Sequence, residues 1–366
     1  MKFTCNRDNL VEAINVVQRA ISGKTTMPIL EGILIEVIEE LKMTANDLDL
    51  GITYEIPAII EEVGSVLVSS KTFGDIVRKL PDIYVTIETS EANNLVIITS
   101  GKARFEISMM DIDEYPQVNF IDEEESVTFE NEILRSLIKQ SIFATADDDS
   151  KPMFKGVFID KEGKTVNFVA LCNSKMAIKH TSMENEKEFK ILVPTRILNE
   201  VYKVLQITNE NMSMAWSKTQ VMFYNSHFKI ISRLINSEYL KYRDLIPRED
   251  KLRVVVSTKD FLHAIERSSL VMQDSSKYPM VLTTDMDEIV ISAKAERGHS
   301  EERLPAQVNG SSLTIGFNTS NFIDCLKVID DETISLHFTT SLGPCIVRGE
   351  EYDDYVFLVM PVRLKL

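Results

Sequence analysis

Leu67-Val68-Ser69-Ser70-Lys71-Thr72-Phe73 decides how this chain is read: a short apolar strand, a serine, then a helix that opens with a bulky hydrophobe. The same phrase recurs as Lys2-Phe3-Thr4 into Leu10, Val127-Thr128-Phe129 into Ile133, and Leu192-Val193-Pro194 into Ile197. It returns as Val255-Val256-Ser257 into Phe261 and as Ile315-Gly316-Phe317 into Phe322. The helix-entry hydrophobes of the six copies are 63, 60, 64, 64 and 61 residues apart. A fixed period marks one supersecondary unit used repeatedly. A period this long, with pattern rather than identity shared between copies, favours a few similar domains over a solenoid.

Between the helices the chain reads as strands. Ile33 to Glu39, Ile52 to Ile60, Tyr84 to Glu88 and Leu95 to Thr99 alternate or carry β-branched runs, and the later thirds match them. Glu162-Gly163, Asn309-Gly310 and Leu342-Gly343-Pro344 mark turns. Strands in series, not alternating one for one with helices, predict an α+β fold of antiparallel sheets. Each third would hold two helices and about eight strands. Boundaries are expected at the acidic Ile121-Asp122-Glu123-Glu124-Glu125 and at Arg248-Glu249-Asp250-Lys251, giving domains at 1–121, 126–247 and 252–366.

A chain of 366 residues with 44% hydrophobic content can bury a core in each of three domains. No apolar run is long enough to span a membrane, and Met1-Lys2-Phe3-Thr4 lacks a signal-peptide core, so a cytoplasmic location is expected. Cys5, Cys172, Cys325 and Cys345 lie far apart with no CxxC pair, as expected of reduced thiols. No GxGxxG, GxxxxGK[ST], HExxH or GxSxG motif occurs. His180, His227, His263, His299 and His337 are scattered without metal-ligand spacing, and Asp147-Asp148-Asp149-Ser150 reads as a solvated loop lacking the glycine of a calcium site. No catalytic residue, metal or cofactor is expected.

The net charge of −16 argues against sequence-independent DNA binding, which rests on clustered Lys and Arg. The distribution is uneven. The six expected helices (6–21, 71–80, 131–146, 195–205, 258–272 and 319–329) hold twelve Lys or Arg against eight Asp or Glu, a net of +4 that leaves −20 for the rest. Helix 71–80 is the clearest case, with Lys71, Arg78 and Lys79 against Asp75. If symmetry brought these helices onto one surface, that surface would be mildly basic and the remainder strongly acidic.

Several stretches carry a resemblance over the full length: Met1-Lys2-Phe3-Thr4, Met27-Pro28-Ile29-Leu30, Ser100-Gly101-Lys102-Ala103-Arg104-Phe105, and above all Val359-Met360-Pro361-Val362-Arg363-Leu364. The chain resembles the bacterial DNA polymerase III beta subunit, the processivity sliding clamp. The resemblance implies a DNA clamp fold in which each subunit is half of a closed ring, a head-to-tail homodimer with helices lining the hole. It implies no enzymatic activity and no cofactor. Its partners would be encircled double-stranded DNA, the replicative polymerase alpha subunit, the clamp loader, and repair polymerases and mismatch-repair proteins.

Weak phosphate contacts suffice for a closed ring, because topology holds the DNA while such contacts position it without reading sequence. By resemblance Lys24 stands where the family usually has a DNA-contacting arginine, with Lys71, Arg196 and Lys277 as further candidates. A cleft for short hydrophobic peptides would use Phe154, Leu171, Lys175, Met176, Leu240, Leu245, Met360, Pro361, Val362 and Arg363. The subunit interface would set Phe105 and Ile107 against Leu270 and Val271, with Lys102 and Arg104 facing Glu301 and Glu302.

This chain departs from the family at the cleft. Leu171-Cys172-Asn173-Ser174-Lys175-Met176-Ala177 stands where Thr-Asp-Gly-His-Arg-Leu-Ala is usual, Tyr239-Leu240-Lys241-Tyr242 replaces Phe-Pro-x-Tyr, Asp244 occupies a commonly basic position, and Lys365-Leu366 extends the terminus. Lys175 would exchange a planar guanidinium for a point charge. These departures keep a clamp paralogue with altered partners open as an alternative, beside an enzyme on a repeated α+β scaffold.

Overall fold

The computed structural model describes residues 1–23, 25–121, 125–146, 151–184, 187–272, 279–296 and 298–364. All six helices are present: α1 (Arg7–Val17), α2 (Ser70–Val77), α3 (Asn131–Ile142), α4 (Thr195–Val204), α5 (Thr258–Ser269) and α6 (Thr319–Leu326). Every strand pairing among the described residues is antiparallel, so the α+β expectation holds.

Local chemistry explains why the phrase repeats. The first backbone N–H groups of a helix lack intrahelical partners, and a Ser or Asn side chain ahead of them accepts one. Asn6 accepts from the Asp8 and Asn9 N–H groups, Ser69 from Thr72, Ser257 from Asp260 and Asn318 from Ser320. Behind each start one bulky side chain drives into the interior: Leu10, Phe73, Ile197, Phe261 and Phe322 are all 0% exposed. The third copy needs correction. Ile133 is only half-buried, and its neighbour Leu134 takes the interior position. In the last pair Phe261 meets Phe322 edge-on at 5.7 Å, joining α5 to α6.

The chain forms two compact units, Met1–Asn131 with Glu200–Leu234, and Glu132–Asn199 with Ile235–Leu366. In the first, a five-stranded sheet runs in the order Ala58–Glu62, Lys2–Asn6, Tyr84–Ser90, Leu95–Ser100, Ala103–Ser108. The second sheet there has eight strands and joins the first repeat pair to the second, because Phe228–Arg233 pairs with Leu50–Ile56 and sets Ile231 opposite Gly51. The other unit repeats this plan. A nine-stranded sheet is joined where Lys175–Ser182 pairs with Tyr355–Val359, Met176 lying opposite Leu358. A five-stranded sheet runs Gly298–Pro305, Glu288–Ala295, Met280–Asp285, Thr314–Phe317, Pro361–Val362.

Two strand expectations are corrected. Ile52 to Ile60 is not one strand: Leu50–Ile56 ends before Pro57, and Ala58–Glu62 belongs to the other sheet. Proline has no N–H for a ladder, so the chain changes sheets there. Asn309-Gly310 does not turn but ends the Gln307–Gly310 strand, where Gly310 adopts φ +133° beside Lys251 and Leu252, a conformation and closeness that exclude a Cβ. Three cysteines are buried and Cys172 is half-buried, all unpaired.

Candidate functional site

The expected cleft residues gather in the second unit. Phe154, Leu171 and Met176 are each no more than 4% exposed and form one apolar cluster with Val169, Ile178, Tyr242, Ile346, Val356 and Leu358. The accessible apolar surface belongs to Leu240, Leu245, Met360 and Val362, exposed by 44, 47, 41 and 36%. Pro361 is half-buried and Arg363 exposed. In the expected short-peptide cleft the buried residues would be the floor and the exposed ones the lips.

Each lip is fixed by hydrogen bonds. The Met360 N–H donates to the Ser174 carbonyl at 2.9 Å, and Pro361–Val362 then adds an edge strand to Thr314–Phe317. Gly316 lacks a side chain, so Leu364 lies directly over it. The Leu240 lip is carried by Tyr239, whose ring stacks on Phe158 at 4.6 Å and whose hydroxyl donates to the Val169 carbonyl. The Tyr242 hydroxyl donates to Asp160 at 3.0 Å, and Asp160, 2% exposed, also accepts from the Asn167 amide at 2.8 Å. Burial, then the Asp160 charge, pushes the Tyr242 hydroxyl above its usual range, so it stays a donor. Sequence reasoning missed Tyr239, Asp160 and Asn167 as supports. The period-2 pattern signalled which faces they share, but nothing signalled which strands would meet.

Lys175 does not stand free at the rim. Its side chain is 11% exposed, and its ammonium donates to Asp324 on α6 at 2.7 Å. It also lies 5.9 Å from the Phe143 ring.

The first unit contains an equivalent junction with a different outcome. Asn46, Gly51, Val118 and Ile231 there correspond, by the register of the joining strands, to the surroundings of Leu171 and Met176. Where the second junction has Met176, the first has Gly51, and Val118 fills the space about 3.0 Å from where a Cβ would stand. That groove encloses about 240 Å³ and is lined largely by polar side chains, among them Asn46, Gln117, Asn119, Gln220 and Arg233. Buried apolar side chains therefore distinguish the second junction from the polar groove of the first.

The expected interface residues fall on or beside two sheet edges. Ala103–Ser108 is the last strand of its sheet, with Phe105 40% exposed and Ile107 half-buried. Gly298–Pro305 is likewise an edge, and Leu270 after α5 is 80% exposed, with Val271 half-buried beside Gly298. The charges there are paired within the chain: Arg104 with Glu106, Arg267 with Glu302 at 2.7 Å, and Arg303 with Glu301. Lys102 is exposed. The Arg267 guanidinium holds the Glu302 carboxyl below its ordinary value, against a smaller opposing effect of burial.

Of the expected DNA contacts, Lys24 and Lys277 lie outside the described residues. Lys71 and Arg196 are exposed at the first turns of α2 and α4. Many helix cations are paired with carboxylates, including Arg7 with Asp8, Arg135 with Glu132, Lys139 with Asp330 and Lys327 with Glu266. Lys71, Lys79 and Lys259 are exposed and have no carboxylate partner among the described residues. Lys259 was not singled out from sequence; only the pairing pattern separates it from its neighbours. No group of His, Cys, Asp and Glu that could hold a metal occurs among the described residues, and no described helix is long and apolar enough to cross a membrane.

Comparison with known proteins covers nearly the whole chain. Residues 1–119 match the model of the DNA polymerase III beta subunit N-terminal domain, 128–241 its central domain and 243–363 its C-terminal domain. The Beta sliding clamp of Bacillus subtilis is 32% identical over 377 residues, covering 99% of this chain and 100% of that protein. The crystal structure of the DNA polymerase sliding clamp from Bacillus subtilis superposes with a TM-score of 0.95 at 32% identity, covering all of both chains. The beta subunit from the DNA polymerase of Streptococcus pyogenes gives 0.95 at 28%, again over all of both chains. The chain belongs to the DNA polymerase III beta subunit family.

Proposed function

We propose that the protein is a DNA sliding clamp: two copies close head to tail into a ring around duplex DNA and tether the replicative polymerase for processive synthesis. It is a non-catalytic subunit without a cofactor, working in the cytoplasm, with three domains at 1–121, 126–247 and 252–366. The observation that carries this reading is two sheet edges, each beside an exposed apolar side chain. Ala103–Ser108 offers Phe105, and Gly298–Pro305 lies beside the exposed Leu270. Unpaired strand edges invite another chain, and a contact between two different edges is heterologous, closing into a ring when the rotation permits. The polymerase alpha subunit, the clamp loader, and repair polymerases and mismatch-repair proteins would insert peptides into the Met176 cleft. Lys24, Lys71, Arg196 and Lys277 would touch phosphates. The replaced residues Leu171 to Lys175 favour a second reading, a clamp paralogue serving other partners.

Retention on DNA tests the ring. Loaded protein is expected to survive high salt on closed circles and to slip off once the circle is cut, because topology rather than phosphate contact holds it. Equal retention on circular and linear DNA would overturn the proposal.

A further inference from the structure

We propose that Lys175 is a positioning residue that anchors the rim of the cleft and does not itself contact the bound peptide. This rests on the reading of the cleft as a peptide site. A lysine at the edge of an apolar groove suggests recognition of an acidic ligand, but the geometry opposes it. The ammonium is within 2.7 Å of Asp324, the side chain is 11% exposed, and the Phe143 face lies 5.9 Å away. A ligand carboxylate would have to reach an ammonium whose side chain is 11% exposed and whose charge Asp324 already balances, which leaves little to gain.

The ion pair has a different consequence. Lys175 opens the strand after the Cys172-Asn173-Ser174 turn, and Asp324 lies on α6, so their contact ties the turn to the helix. The Ser174 hydroxyl adds a bond to Asn321 on the same helix at 3.4 Å, while its carbonyl receives the Met360 N–H. The turn is thus held from α6 on one side and from the terminal segment on the other. The Met360 lip is set by a turn whose position depends on Lys175. With Lys175 neutralised, exposed cations near the cleft among the described residues include Arg363, Lys241, Arg243 and Lys151, the last over the Phe154 ring at 5.1 Å.

Fluorescence anisotropy on the full chain tests this with two labelled synthetic peptides. Both carry leucine and phenylalanine anchors; one has glutamine and the other aspartate at the remaining positions. Lys175→Arg is expected to bind both as wild type does, because a guanidinium can also reach Asp324. Lys175→Met should weaken both peptides equally, by several-fold. Asp324→Asn releases the ammonium and should improve the aspartate peptide relative to the glutamine peptide by up to about fivefold, the range of an exposed ion pair. Reversing the pair, Lys175→Asp with Asp324→Lys, should restore both affinities to within about twofold of wild type if ion pairing is what positions the turn. A Lys175→Met loss confined to the aspartate peptide would overturn the proposal, as would failure of Lys175→Arg to bind while melting like wild type. If neither peptide binds the wild-type protein, the cleft reading itself falls.

Discussion

Met176 is 4% exposed within a buried apolar cluster, so Met176→Ala removes apolar volume that its neighbours cannot fully reclaim. The expected cost is about 2–5 kcal/mol in urea unfolding, together with weaker peptide binding. Glu302 gives a pH test. Its folded value lies below the ordinary 4.5 because Arg267 bonds its charged form. A lowered carboxylate contributes stability that is complete above the unfolded value and disappears as pH falls through the folded one. Thermal melts should therefore separate wild type from Glu302→Gln at neutral pH and converge in acid; a constant gap at every pH would sink this assignment. At this scale the sequence was legible where chemistry is local. Leu171 and Met176 were readable as apolar residues of the expected cleft. Lys175 was readable as a cation, but its partner stands 149 residues away.

At the scale of elements, the six helix starts were legible because capping and one inward hydrophobe act within a few residues of each other. The Leu134 correction is a shift of one place, within the drift that a helix face allows. The sheet change at Pro57 was visible as a missing N–H and was read through. The open edges yield a prediction. Phe105→Ala with Leu270→Ala removes the exposed side chains beside both, and should give monomers near 41.6 kDa by sedimentation at low micromolar concentration. A double variant that stays dimeric would move the interface elsewhere. Deleting residues 360–366 removes the edge strand Pro361–Val362 and the Met360 lip, while leaving Ala103–Ser108 and Gly298–Pro305 in place. Removing two apolar anchors at roughly 1.5–3 kcal/mol each predicts at least about a hundredfold weaker peptide binding, with the dimer retained. Anisotropy and sedimentation on the same sample would check both halves of that statement.

For the whole molecule the governing quantity is charge, −16 overall. The excess of four expected in the helices is corrected: α1 to α6 hold as many cations as carboxylates, and Arg19, Arg78, Lys79 and Lys327 lie just past the helix ends. Direct binding to a short linear duplex should be weak and salt-sensitive. If Lys71, Lys79 and Lys259 each neutralise a phosphate, replacing all three by alanine should lower the salt-dependence slope by roughly one for each lysine replaced. An unchanged slope would remove them from the DNA-facing set. The sequence by itself determined the sixfold repeat, the α+β class and the helix starts, because these follow from periodicity, capping and turn chemistry acting over a few residues. Only the tertiary structure decided how deeply Met176 is buried while Met360 and Leu240 stay exposed, that Val118 packs against Gly51, and that Asp324 engages Lys175. Those outcomes depend on which strands join and in what register, and a one-place shift in register would turn every side chain to the opposite face.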